Sequence, residues 1–377
     1  MTDLDMMGFE ASEALTRRAQ VLAGIRNGSW LDSRHFDDPE AIVDGIITAG
    51  YGLLTGPPKV GKSWLTLDVA LAVASGGSAL GSIPVRQRPV LLLALEDGYR
   101  RLQYRSRKLL REGEPIPAGL DFYIEPGPEV LTDVLPGWLD QHGADKPLVI
   151  LDTLGTVQPQ KLAGESEYQR DYRTGQMLKG FISDYDGAGL LVVHHTRKMG
   201  SSDWMDSTSG TNGVNGSADF TVSLSAPREG TEGTLNVTGR DAPSGSYAVN
   251  FTEGRWVIAG DSLDRAADMA RARTASAGVG DVATQIITVI AEAGEPLGPT
   301  VVASRIPGLS AQAAGTYLGR LAESGRLVKT GRGRYALPST GAVESVDLWK
   351  SASSLSTSQH FQHPSSGDEL LKAGEVA

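Results

Sequence analysis

The chain has 377 residues, 40% hydrophobic and 21% charged, with a net charge of -10 and no cysteine. That length accommodates two domains and a sizeable core, and the absence of cysteine excludes disulfides, thiol catalysis and cysteine-based zinc sites. The acidic balance excludes a globally basic nucleic-acid coat protein but leaves room for a local basic patch.

The polar, acidic start MTDLDMMGFE is unlike a signal peptide, and no apolar run is long enough to span a bilayer. A cytoplasmic protein with no membrane partner is expected. Residues 1–35 read as an N-terminal arm, with a helix around Glu10–Ile25 that either packs on a neighbouring subunit or frays. From 36 to 260 strands and helices alternate, which predicts an α/β domain with a mainly parallel sheet covered on both faces. The expected strands are Gly52–Thr55, Pro89–Leu95, Asp121–Glu125, Pro147–Asp152, Gly189–His194 and Asp219–Leu224. The helices between them are expected near Lys62–Ala74, Tyr99–Glu112, Glu129–His142 and Tyr168–Tyr185. Thr234–Thr238, Tyr247–Phe251 and Arg255–Ile258 read as an antiparallel extension of the sheet.

Residues 261–280 are rich in Ala, Arg, Asp and Ser and read as a linker, in part helical. Residues 281–338 carry three helical patterns followed by RLVKTGRGRYAL, a hairpin with Gly-Arg-Gly at its tip. Three helices and a two-stranded wing make the winged-helix pattern, here locally basic. Residues 339–377 are rich in Ser, Thr and Gly and are expected to be disordered.

The chemistry gathers around YGLLTGPPKVGKS at 51–63. Gly56, four residues, then Gly61-Lys62-Ser63 is the P-loop spacing. Phosphates need many N–H donors at close range, and glycines let the backbone curl around them. Gly56, Pro57, Pro58, Lys59, Val60, Gly61, Lys62, Ser63 and Trp64 are therefore the expected ATP-binding residues. Lys62 would reach the β- and γ-phosphates, and Ser63 would ligate Mg²⁺. Tyr51 beside the loop reads as a core residue or as a stacking platform for a base.

Three further strand ends complete the reading. PLVILDTLG ends a buried strand at Asp152, the expected carboxylate for the Mg²⁺ shell. PVLLLALEDGYR ends a strand at Glu96-Asp97, with Glu96 the candidate base and Asp97 the candidate helix cap. LLVVHHTRK ends a strand at His194 and His195, of which only one can readily face a nucleotide. They read either as a γ-phosphate sensor or as histidines satisfied at a strand end. The polar, glycine-rich stretch 199–217 that follows has no Arg or Lys and reads as a mobile loop.

GPPKVGKS, ALEDGYR, VILDTLG, VVHHTRK, GTNGVNGSADFTVSL and VTGRD, in that order, resemble the RecA-like P-loop ATPases. Within them they resemble the hexameric replicative helicases of the plasmid RepA type and their phage relatives. The resemblance implies a RecA-like core in a ring or filament with ATP between subunits. It implies Glu96 as catalytic glutamate and His195 as sensor, with Lys62 and Asp152 completing the catalytic set. It also implies single-stranded DNA at the loops after the sensor strand. Relatives with an arginine in the stretch before the ADxxxxL strand use it across the interface, and STSGTNGVNGS has none. Arg197, Lys198 and Arg240 are the remaining candidates for a cation acting in trans.

In the winged-helix segment Arg320, Lys329, Arg332 and Arg334 are the candidate contacts to duplex DNA. The expected function is an ATP-driven, oligomeric DNA helicase. The alternatives are a RecA-like recombinase or loader, and a regulator in which ATP switches winged-helix DNA binding.

Overall fold

The computed structural model describes residues 22–35, 40–195, 216–227, 230–240 and 244–338, with the backbone only at His195. The expected helix around Glu10–Ile25 falls almost wholly outside the described residues. The expected tail at 339–377 falls wholly outside them.

A short helix, α1 (Gly28–Asp32), is capped by Asn27, whose side chain accepts from the Trp30 N–H. The hairpin of β1 (Ala41–Val43) with β2 (Ile47–Thr48) follows it. The centre of the fold is a nine-stranded sheet. Its strands are β3 (Gly50–Gly56), β6 (Val90–Ala94), β7 (Leu120–Tyr123), β8 (Leu148–Asp152), β9 (Gly189–His195), β10 (Phe220–Ser225), β11 (Glu232–Gly239), β12 (Gly245–Thr252) and β13 (Arg255–Ile258), in the spatial order β13-β12-β11-β10-β3-β9-β8-β6-β7. From β10 to β7 all neighbours are parallel. From β10 to β13 they are antiparallel. A second hairpin, β4 (Ser78–Ala79) with β5 (Ile83–Pro84), follows the first long helix.

The central parallel strands β6, β8 and β9 are nearly continuous apolar runs because both faces are covered. Side chains alternate between faces, so Leu54, Leu92, Ile150 and Leu191 enter one core. Leu53, Leu91, Val149 and Leu190 enter the other. Each fully buried leucine contributes about 2 kcal/mol of hydrophobic stabilisation. The first face is covered by α2 (Lys62–Ser75), whose apolar residues are buried almost all round. The second is covered by α4 (Leu135–His142) and α5 (Glu167–Ser183). The capping box of Ser166 and Gln169 starts α5. The helix α3 (Tyr99–Leu109) lies between β6 and β7 in the chain, buries Leu102, Ser106 and Leu109, and leaves its other face exposed. The helix expected over Glu129–His142 is a π-helical turn at Val130–Val134 running into α4.

Tyr51 is fully buried in the second core, so it is a core residue and not a stacking platform. Gly52 beside it is required by packing. A Cβ there would lie 2.1 Å from Phe220 Cζ, because the Phe220 ring lies over β3.

Leu263–Ser276, within the stretch expected as a linker, is a helix, α6, and it buries Ala266, Ala270, Ala272 and Ala275. Small side chains let it lie close to β12 on one side and to the next helix on the other. Ser262 caps it by accepting from the Arg265 N–H. Then follow α7 (Asp281–Ala293), α8 (Pro299–Arg305) and α9 (Ala311–Glu323). A hairpin of β14 (Val328–Gly331) and β15 (Arg334–Ala336) ends the described chain. Ile286, Ile287, Ile290, Val302, Leu318 and Leu321 form their shared core.

Candidate active site

The parallel strands all end on the same side of the sheet, and that shared end gathers the chemistry. Between β3 and α2 the chain turns sharply at Gly56 (φ +152°) and Gly61 (φ +99°). A Cβ at Gly56 would sit 2.4 Å from the Leu224 carbonyl oxygen, and one at Gly61 would sit 2.7 Å from Trp256 Nε1. Both glycines are therefore fixed by backbone conformation and by neighbours from the antiparallel end of the sheet. Pro57, Pro58 and Lys59 are exposed at the loop's crest, while Val60 packs onto the core. Lys62 is buried, and its Nζ donates to the Gly56 carbonyl at 2.8 Å and the Pro57 carbonyl at 3.1 Å. Its ammonium thus spans the inside of the loop, where phosphate oxygens would replace those carbonyls. Trp64, two residues on, lies under the Arg105 guanidinium (5.3 Å) and the Lys108 ammonium (5.9 Å).

Asp152 and Glu96 meet because β8 pairs with β6, with Asp152 opposite Ala94. The Asp152 carboxylate is 7% exposed and accepts a hydrogen bond from the Ser63 side chain. Its Oδ1 is buried with no hydrogen-bond partner. Thr153, the next residue, donates from Oγ1 to Glu96 Oε1 at 2.9 Å. Ser63, Glu96, Asp97, Arg101, Arg105 and Asp152 line a cavity of about 120 Å³. Burial holds the Lys62 ammonium down to about 8, against the opposing pull of Asp152 and Glu96. Burial, reinforced by Glu96 and Asp97, pushes the Asp152 carboxyl up, while Ser63 and Lys62 oppose the rise.

A divalent cation fits these residues. An orphaned, buried carboxylate oxygen beside a serine hydroxyl is the donor set a hard cation uses. Ser63 and Asp152 would hold Mg²⁺ or its water shell. The ion would supply charge neutralisation at the phosphates.

Asp97 corrects the expectation of a helix cap. Gly98 occupies the cap position of α3 and makes no side-chain bond. Asp97 instead accepts from Arg101 Nη1 and Arg105 Nη1, each at 2.7 Å. Two charge-assisted bonds outcompete one cap bond. The arginines at i+4 and i+8 after Asp97 were the signal for this arrangement, since they lie on one helix face.

The histidine strand β9 lies between β3 and β8. Thr55 is paired with His194 and Gly56 with His195, so the strand ends beside the P-loop. His194 is half-buried there, and the His195 side chain, Arg197 and Lys198 lie outside the described residues. Arg240 follows β11, whose last residue pairs with Phe220 at the start of β10. Its N–H donates to the Asp219 carbonyl at 2.9 Å and its guanidinium to the Gly216 carbonyl at 3.4 Å. That is level with Tyr51, near the opposite end of β3 from Gly56 and about 16 Å away along the strand. Arg240 therefore cannot serve its own P-loop. Arg320, Lys329, Arg332 and Arg334 are exposed on the C-terminal helices and hairpin, and none lines the cleft. Arg326 is tied down instead, donating to the Ala275 and Ala277 carbonyls.

A glycine-bounded loop with a buried lysine, a buried aspartate one strand away across β9, and a glutamate on the next strand together make a site suited to a nucleotide's phosphates and a divalent cation. Residues 24–201 match the family model described as AAA domain. The comparison with curated proteins gives no match. Among solved structures, the chain is similar to one described as an ATPase domain. The TM-score is 0.46 and the identity 12%, over 65% of this chain and 97% of that one. It is also similar to a DnaB-like replicative helicase described with its interactions with primase. There the TM-score is 0.46 and the identity 13%, over 66% of this chain and 71% of that one.

Proposed function

We propose that the protein is an ATP-hydrolysing, DNA-dependent motor that works as an oligomer, a ring-forming replicative helicase of the RepA type. The observation that carries the hydrolysis reading is the cleft in which Lys62 and Ser63 face Asp152, with Glu96 held beside it by Thr153. Lys62 exchanges the Gly56 and Pro57 carbonyls for phosphate oxygens. Glu96 orients the attacking water and accepts its proton. His195, whose backbone is beside Gly56, reports the loss of the terminal phosphate to the loop that follows. In this reading Arg240, too far to serve its own P-loop, is a candidate cation for a neighbour's cleft beside Arg197 and Lys198. A hexamer is the assembly this reading predicts.

The domain reading is an N-terminal arm at 1–35, an ATPase domain at 36–260 and a winged helix at 281–338. Three helices around one apolar core, with a hairpin whose Lys329, Arg332 and Arg334 are exposed, support the winged-helix reading. A second reading, an ATP-switched regulator of duplex binding, is favoured by α6. That helix packs on β12 and on α7, and Arg326 donates to carbonyls at its end. It therefore offers a rigid path between the sheet and the winged helix.

Strand displacement from a forked DNA substrate with ATP tests the motor. Lys62→Ala is expected to lose nucleotide binding, and Glu96→Gln to keep binding and lose turnover. ATPase stimulation by single strands without displacement would favour a recombinase or loader. Preferred duplex sites in footprinting, without displacement, would favour the regulator.

A further inference from the structure

We propose that the exposed face of α3 is a single-stranded nucleic-acid platform, in which arginines take the phosphates and tyrosines stack on the bases. The proposal rests on the DNA-dependent reading above and names the surface it uses. The helix reads YRRLQYRSRKL, with Arg100, Arg101, Arg105, Arg107 and Lys108 and no acid, in a chain of net charge -10. Leu102, Ser106 and Leu109 face the core, Arg105 is half-buried between Trp64 and Asp97, and the other residues of the helix are exposed. Tyr99 is 62% exposed and Tyr104 is 65% exposed, which hydrophobic packing does not explain. Arg100, Tyr104 and Arg107 fall at i, i+4 and i+7, on one stripe along the helix. Gly98, Arg100, Arg101 and Tyr104 line a hollow of about 520 Å³ at its start.

Helix stability accounts for part of this composition: Arg107 and Lys108 suit the negative end of the dipole, Arg107 donates to the Glu114 carbonyl, and Arg101 and Arg105 bond Asp97, but it does not account for Arg100 or the exposed tyrosines. The first turn has no side-chain cap and no acid, and it places two arginines where the helix dipole is positive. A residue set that breaks the local rule is explained by what it binds. Cations along a groove with interleaved aromatic faces are the chemistry of sequence-tolerant single-strand binding. The stretch 199–217 offers no Lys or Arg for phosphates, so a strand needs its cations elsewhere.

The position of α3 ties this surface to catalysis. Arg101, 59% exposed, both belongs to the platform and bonds Asp97 in the catalytic cavity. A strand phosphate competes with Asp97 for Arg101, and the turn carrying Glu96 feels the exchange. Binding at α3 thereby becomes stimulation of hydrolysis.

The test uses the full chain and a fluorescein-labelled oligo-dT, with anisotropy followed over a salt series. Arg100→Ala with Arg107→Ala should flatten the dependence of log affinity on log salt by about 0.7 per arginine removed. Tyr104→Ala should weaken binding about tenfold and Tyr104→Phe should restore it. Basal ATPase without DNA should be unchanged in all three, and stimulation by the strand should fall with affinity. If the wild-type chain neither binds the oligonucleotide nor is stimulated by it, the DNA-dependent reading fails and the platform with it. If the wild type binds and the variants keep its affinity and salt slope, the platform alone is overturned. If the variants lose assembled mass while retaining strand binding, the face belongs to a second copy, which also overturns it.

Discussion

Thr153 Oγ1 donates to Glu96 Oε1 at 2.9 Å, a side-chain bond across the paired ends of two strands, between residues 57 apart in the chain. Thr153 is 3% exposed, so the hydroxyl is placed by packing before any ligand arrives. Thr153→Val keeps the shape and removes the donor. It should leave nucleotide affinity within about twofold and lower kcat by about 10- to 100-fold, because a loosely held base loses part of its contribution. Steady-state turnover beside equilibrium binding of a fluorescent nucleotide separates the two effects. An unchanged kcat would mean that Glu96 is positioned by other groups.

The Lys62 ammonium gives the site a pH signature. Burial holds it at about 8 in the nucleotide-free protein, below its ordinary value of 10.5. Between those values the unfolded chain binds more protons than the folded one. This group therefore makes the nucleotide-free protein more stable as pH rises through that window. Phosphates favour the charged form, so nucleotide binding should take up a proton above about pH 8, and affinity should fall as pH rises further. Calorimetry in two buffers of different ionisation enthalpy measures the uptake, which should vanish well below pH 8, where the lysine is already charged.

Asp68 on α2 pairs with Arg255 Nε at 2.8 Å, and Arg255 also donates to the Leu109 carbonyl. The Asp68 side chain is 3% exposed and that of Arg255 39% exposed. Arg255→Ala strands a buried carboxylate and should cost about 2–3 kcal/mol, at the low end for such pairs because the arginine is partly in water. Burial already pushes the Asp68 carboxyl up. The penalty should therefore be full at neutral pH and shrink as acid neutralises Asp68. Urea denaturation at neutral and acid pH reads both effects, and an equal loss at both would contradict the assignment.

Gly56 and Gly98 flank the site with opposite tolerances. Gly56→Ala forces a Cβ against a carbonyl of β10 in a backbone region that alanine avoids. It should cost about 1–3 kcal/mol and abolish nucleotide binding. Gly98→Ala meets nothing within 4 Å and has an ordinary φ of -114°, so it should change the thermal midpoint by little. Thermal melts with and without an ATP analogue distinguish them.

The strands were legible because their apolar runs are short, contiguous and bounded by turn residues. Val90–Ala94 and Leu148–Asp152 fall within the stretches expected from sequence. The glycine turn after β3 and the placement of Asp152 and Glu96 at strand ends were legible because each pattern is local to a few residues. What could not be read depends on who lies beside whom. Sequence gives no strand order, so neither the Thr153–Glu96 bond nor the distance of Arg240 from its own P-loop was visible. The hairpins at Ala41–Thr48 and Ser78–Pro84 have strands of two or three residues, too short for a period to register. The alanines of α6 mark close helix packing, but beside arginines and aspartates they read as a linker.

Trp256 comes from the last strand of the sheet, yet its ring edge is what forbids a side chain at Gly61. Leu224, on β10, does the same at Gly56. The phosphate loop is therefore moulded by residues that enter the chain well after position 201, where the family match stops. A fragment cut at that boundary would expose β3 as a raw sheet edge and leave its loop without a wall. During synthesis, the nucleotide site would become competent only once the segment through Ile258 has left the ribosome and docked.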